Sequence, residues 1–136
     1  MIEFKRYKKV ARTFARPLTA HDYEVRQGVV HAPEGILPFT PGDYLAKDMK
    51  GEWVIWQSTM QKSYTKVSSE DEEGFAQYLR TDVSFAAQMP EPFTIDTMRG
   101  KAGDYLVIND GAAWPVGREI FEQSYVLAKE GEKEPV

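Results

Sequence analysis

The feature that most constrains this chain is an internal repeat. Sliding the sequence on itself by 61 residues brings 42–67 onto 103–128 without a gap. Gly42/Gly103, Asp43/Asp104, Tyr44/Tyr105, Leu45/Leu106, Trp53/Trp114, Ser63/Ser124 and Tyr64/Tyr125 coincide, seven identities in 26 positions. Average composition gives roughly one or two. Ile55/Val116, Met60/Phe121 and Asp48/Asn109 are conservative partners. A repeat of this kind decides architecture before any single element does.

Each copy has a physical reading. Gly-Asp is a turn pair, because Gly tolerates positive φ and Asp bonds nearby backbone. Tyr105 to Ile108 reads as a strand, Asn109-Asp110-Gly111 as a tight hairpin turn, and Ala112 to Val116 as the return strand. In the first copy the turn is Asp48 to Gly51 and the return strand runs from Glu52 to Gln57. Apolar residues four apart follow, Met60 and Tyr64 or Phe121 and Tyr125, predicting one turn of helix before a last strand. Ser58 is a candidate helix cap. Three short strands cannot bury themselves alone. The expectation is therefore a mainly β (β-rich α+β) domain of two small SH3-like barrel or β-roll modules, packed on each other.

The remaining segments are read around the modules. The domain is expected over 1–128, with strands within 4–31, a helix and linker over 68–102, and a disordered tail over 129–136. Residues 7–16 alternate as an opening strand, 22–31 as a second strand or hairpin, and Ala32 to Pro41, with three prolines, as a loop. Ser69 and the acids after it predict a helix near 69–80 whose buried stripe is Phe75, Tyr78 and Leu79. Alternation puts Trp53, Ile55, Trp114 and Val116 on a core face. Trp56, present in the first copy only, is left to cover the seam between modules, make a dimer contact or floor a pocket.

Composition limits function. The chain has 136 residues and no cysteine, which removes disulfides, thiolate metal sites and cysteine nucleophiles and suits a reducing compartment. Its start lacks an apolar stretch after its charges, and no apolar run approaches a membrane span, so a cytoplasmic protein without membrane contact is expected. The net charge is −4. Residues 1–16 carry six basic side chains against Glu3, a local +5 that leaves −9 for the remainder. That basic arm, with Tyr7 and Phe14, suggests nucleic-acid binding. The acidic whole opposes it, so nucleic acid is not the expected partner.

No phosphate loop, dinucleotide fingerprint, nucleophile elbow or His-Glu-x-x-His motif occurs. Candidate catalytic residues are Asp43 and Asp104, which could pair across a two-fold axis, and His21, beside Asp22. The competing reading is that each Asp bonds amides in its own turn. Candidate ligand-binding residues are Trp56, Tyr44 and Tyr105. With only His21 and His31, no metal site and no cofactor are expected.

Gly103-Asp104-Tyr105-Leu106-Val107, Trp114-Pro115-Val116, Ile120-Phe121-Glu122 and Tyr125 resemble a recurrent segment of short phage and bacterial proteins. Its pattern is Gly-Asp-aromatic-aliphatic, a Gly-Glu turn, aromatic-Pro, then Phe-Glu and Tyr. The first copy supplies Gly51-Glu52 where the second has Ala112-Ala113. Members also open with a basic stretch similar to Arg6-Tyr7-Lys8-Lys9. The resemblance implies a phage-related origin and brings no activity, so no catalytic residue is carried over. The expected function is a non-catalytic module binding a protein or small molecule, with a homodimer open to it. An enzyme acting on a small polar or nucleotide-like molecule in the groove between modules is the alternative.

Overall fold

The computed structural model describes residues 2–129; the tail expected to be disordered lies, from residue 130 on, outside them. The chain is β-rich and forms two compact units. One is Arg12–Arg80. The other joins the N-terminal stretch, up to Ala11, to everything from Thr81 onward. Residues 42–67 fall in the first unit and 103–128 in the second.

The Arg12–Arg80 unit contains β2 (Thr13–Pro17), α1 (Ala20–Arg26), β3 (Val29–Ala32), β4 (Gly35–Pro38), β5 (Tyr44–Asp48), β6 (Gly51–Ile55), α2 (Gln57–Ser63), β7 (Tyr64–Lys66) and β8 (Ala76–Arg80). The other unit contains β1 (Lys5–Lys9), β9 (Val83–Gln88), β10 (Phe93–Ile95), β11 (Met98–Gly100), β12 (Tyr105–Asn109), β13 (Ala112–Val116), α3 (Arg118–Ser124) and β14 (Tyr125–Leu127). The hairpin, helix and strand read for each module are present in both stretches. Their five-stranded sheets run β6-β5-β2-β8-β7 and β13-β12-β9-β1-β14, with β3-β4 and β10-β11 as separate hairpins.

Local chemistry explains these elements. Asp110 and Gly111 both have positive φ (51° and 77°), the geometry of a type I′ turn, and close β12 onto β13. In the first copy Asp48 Oδ1 accepts from the amides of Lys50 and Gly51 and shapes the turn from β5 to β6. Ser58 does not cap α2. Trp56 holds the cap position without a side-chain bond, and Asp43 supplies the acceptor from a distant turn.

Five expectations about the elements are corrected. The stretch over 22–31 begins as α1, because Thr19 and Asp22 form a capping box and Gln27 ends the helix in the left-handed conformation. Ala32 to Pro41 is partly the β3-β4 hairpin, paired from Val29↔Pro38 to Ala32↔Gly35. The single opening strand is two, β1 and β2, in different sheets.

The helix near 69–80 is absent. Asp71 Oδ1 accepts from the amides of Glu73 and Phe75, and Gly74 sits at φ 88°, which stops a helix there. Ala76–Arg80 then pairs with both β2 and β7. Ladder bonds on two edges outweigh the local helical preference. Phe75 is buried, while Tyr78 and Leu79 lie on opposite faces of a strand instead of one face of a helix. Nor does either large sheet close into a barrel. Its outer strands remain edges, and the β3-β4 and β10-β11 hairpins pack against β6 and β13.

Core packing follows the sheet faces. In the Arg12–Arg80 unit, Ala15, Ala46, Ile55 and Met60 form one core with Tyr44, Trp53, Tyr64 and Tyr78 against it. Leu18, Val30, Phe39, Leu45 and Phe75 form a second core, with Val54 against it. In the other unit Ala86, Tyr105, Val107, Phe121 and Tyr125 pack with Tyr7, Trp114 and Val116. Phe121 is stacked between Tyr105 and Tyr125, at centroid distances of 3.9 and 4.4 Å, with Tyr7 edge-on at 4.8 Å. Trp53 and Trp114 are half-buried against these cores. Phe121→Ala is expected to lower urea-unfolding stability by about 3–5 kcal/mol. Val25→Ala, at a 67% exposed position, should change it by less than about 0.5 kcal/mol. Equal effects at both positions would contradict the stacked core.

Candidate functional site

Both turn carboxylates of the repeated Gly-Asp pairs are engaged by backbone amides. Asp43 Oδ1 accepts from the Gln57 amide at 3.0 Å, while Oδ2 accepts from the Thr40 amide at 2.9 Å and the Thr40 hydroxyl at 3.3 Å. Asp104 Oδ1 accepts from the Arg118 amide at 3.1 Å and Oδ2 from the Lys101 amide at 2.9 Å. Each carboxylate thus ties its turn to the first residue of the helix that follows the hairpin. The adjoining backbone is also fixed. Gly42 (φ 101°) donates to Leu18 O and Gly103 (φ 92°) to Met89 O, and Leu18 and Met89 donate back to Asp43 O and Asp104 O. These oxygens are engaged as helix caps and turn ties. The reading in which each Asp bonds its own turn is the one the geometry follows.

The proposed His21-Asp22 pair is not assembled. His21 is exposed on α1. Both oxygens of Asp22 are taken by a bidentate pair with Arg16, at 2.9 and 3.0 Å, and Oδ2 also accepts from the Thr19 amide and hydroxyl. The hydrogen-bonded Arg16 guanidinium, aided by Thr19, holds this carboxyl well below the usual carboxylate range despite partial burial. Among the described residues no group of three His, Cys, Asp or Glu is placed to hold a metal ion.

The three aromatic candidates separate. Tyr105 is buried in the core, its hydroxyl 3.4 Å from Glu122, and burial raises its pKa. Tyr44 packs edge-on to Tyr78 at 6.1 Å beside the Ala15–Met60 cluster. Trp56 is 54% exposed at the start of α2, and so presents its ring to solvent.

Sequence reasoning missed a charged hollow on the Arg12–Arg80 unit. About 310 Å³ in volume, it lies over Leu45 and Phe75 and is rimmed by Arg16, Arg26, Lys47, Glu52 and Glu73. The Lys47 ammonium sits 4.0 Å from the Phe75 ring centre and 3.6 Å from Glu73, and Arg26 donates to Glu52 at 3.1 Å. These residues come from β2, α1, β5, β6 and the turn before β8, so no local spacing could have grouped them. Arg26 and Glu52, and Lys47 and Glu73, pair across the rim, while Arg16 is held by Asp22, and the lining offers neither a histidine nor a hydroxyl nucleophile.

No family model matches the chain, and neither a curated protein nor a solved structure matches it. No helix among the described residues is long and apolar enough to cross a membrane.

The Asp22 contacts carry a pH dependence of definite sign. Because the folded pKa lies below the unfolded value of about 4, the stabilisation is present above that value and is lost as pH falls through the folded one. Asp22→Asn should cost about 1–2 kcal/mol at pH 7. The gap from wild type in urea unfolding should narrow from pH 5 to pH 2. A gap independent of pH would contradict the ionic account.

Proposed function

We propose that the chain is an internally duplicated, non-catalytic binding protein, phage-related in origin, whose modules are SH3-like in their short strands and helical turn but open. What supports duplication is the recurrence of individual bonds at the same offset. Thr40, Asp43 and Gln57 are joined as Lys101, Asp104 and Arg118 are, each 61 residues on. Tyr44 pairs with Ile55 as Tyr105 pairs with Val116. Ala15 faces Ala46 as Ala86 faces Val107, which extends the likeness to β2 and β9.

The observation that carries the binding reading is the engagement of both turn carboxylates by backbone amides, while aromatic surface is left exposed. Trp56 at 54%, Phe14 at 40% and Phe85 at 38% are all on view. Phe14 and Phe85 occupy corresponding positions beside Ala15 and Ala86. Exposed aromatics are the residue type from which interface anchors are drawn. The basic stretch fits nucleic-acid binding less well, since Lys5–Lys9 is an interior strand of a sheet and Tyr7 is half-buried in a core.

Immobilised chain is expected to retain a partner from a host extract. Trp56→Ala or Phe14→Ser should weaken that retention at least about tenfold, roughly 1.4 kcal/mol. Asp43→Asn and Asp104→Asn should each cost about 1–2 kcal/mol of stability, with binding reduced only in proportion to the folded fraction. A turnover abolished by either Asp→Asn change at unaltered stability would favour the enzyme reading and overturn this one. Binding confined to oligonucleotides, with steep salt dependence, would overturn it in favour of the basic strand.

A further inference from the structure

The strand β1 belongs to a sheet that is otherwise built entirely from residues beyond Thr81, and its covalent route to that sheet passes through the whole Arg12–Arg80 unit. Its seat is well defined. Lys5, Arg6, Tyr7 and Lys8 pair antiparallel with Ala86, Phe85, Ser84 and Val83 of β9. On the other edge Tyr7, Lys8 and Lys9 pair with Leu127, Val126 and Tyr125 of β14. Tyr7 inserts beside Phe121 and Tyr105. The strand therefore binds as an extended peptide does when it fills a slot between two strands, with ladder bonds for affinity and one aromatic anchor for register.

The same relation holds a second time. The strand β8, followed by β9 after only Thr81 and Asp82, does not pair with it but lies between β2 and β7 of the Arg12–Arg80 sheet. If the duplication proposed above is correct, β1-β2…β7 and β8-β9…β14 are the two repeats, and each gives its first strand to the other's sheet. Strand exchange is then the way one repeat recognises another.

We propose that the slot between β9 and β14 is a binding site for the β1 strand of a second copy of this chain, so that copies assemble by donating Lys5–Lys9 in trans. The ladder and the Tyr7 anchor are the same whichever chain supplies the strand, and only the connection at Val10-Ala11-Arg12 differs. Cis and trans occupancy are separated mainly by effective concentration, which for tethered segments is of millimolar order. Exchange of an identical element is a low-cost route to association. Charge favours the encounter, because residues 1–16 carry +5 and the remainder −9.

The chain has no cysteine, so engineered pairs report on the slot cleanly. Lys8 and Val126 are directly opposed across the ladder, at a separation a disulfide spans. The full-length double variant Lys8→Cys/Val126→Cys, refolded dilute and oxidised, should give a monomer with an internal disulfide. The single variants Lys8→Cys and Val126→Cys, refolded together at millimolar concentration, should give the mixed disulfide dimer at least fivefold above a control pairing Lys8→Cys with Val25→Cys on exposed α1. Tyr7→Asp in the Lys8→Cys chain should remove that excess. No excess over the control overturns donation in trans, while failure of the internal disulfide removes the slot itself. Neither readout depends on the repeats having a common origin, so the duplication reading stands or falls separately.

Discussion

The short strands β7 and β14 each have a single hydrogen-bonded neighbour, and the structure depends on what that neighbour is. For β14 it is β1, and for β7 it is β8. A three-residue strand on a sheet edge has little to hold it without a ladder. Removing β1 would strand β14 and expose one edge of β9 at the same time. The N-terminal segment, by composition a basic arm, is thus the fourth strand of a sheet whose other members lie beyond residue 82. Two basic residues stand on each side of Tyr7, which gives the strand one apolar contact with the Phe121 stack, while Lys5 and Lys8 are exposed.

The second constraint is the turn carboxylate. A hairpin followed at once by a helix of seven residues needs the first helical amides satisfied, and neither Trp56 nor Gly117 at the cap can do it with a side chain. Asp43 and Asp104 reach across from the turn before the hairpin. One oxygen ties the turn and the other caps the helix, so a single side chain fixes the two ends of a hairpin against each other. The presence of Asp at both places needs no substrate.

How much of this was legible depended on the range of the deciding interaction. The hairpins, the helices over Gln57–Ser63 and Arg118–Ser124 and the strands after them were readable, because turn residues and four-residue spacing sit within a few positions of what they control. The capping box at Thr19 and Asp22 was also written locally, but apolar alternation over 22–31 obscured it. The segment 69–80 carried every local mark of a helix start and became a turn and a strand. Gly74 and the pairing of Ala76–Arg80 with β2 and β7 decided otherwise, and that pairing joins residues 13 and 78. Of the candidate site, the Asp turns were visible in the repeat. The hollow over Phe75 was not, since five separate elements build it.

The central claim is that β1 completes the sheet of the second unit, and hydrogen exchange tests it most directly. Amide exchange should be compared in the intact chain and in Tyr7→Asp, a change that places a charge against the Phe121 stack. The account predicts faster exchange in β1, β9 and β14, while β2, β5 and β6 of the Arg12–Arg80 unit keep their protection. Unchanged protection in β9 and β14, or loss spread equally over both units, would contradict it.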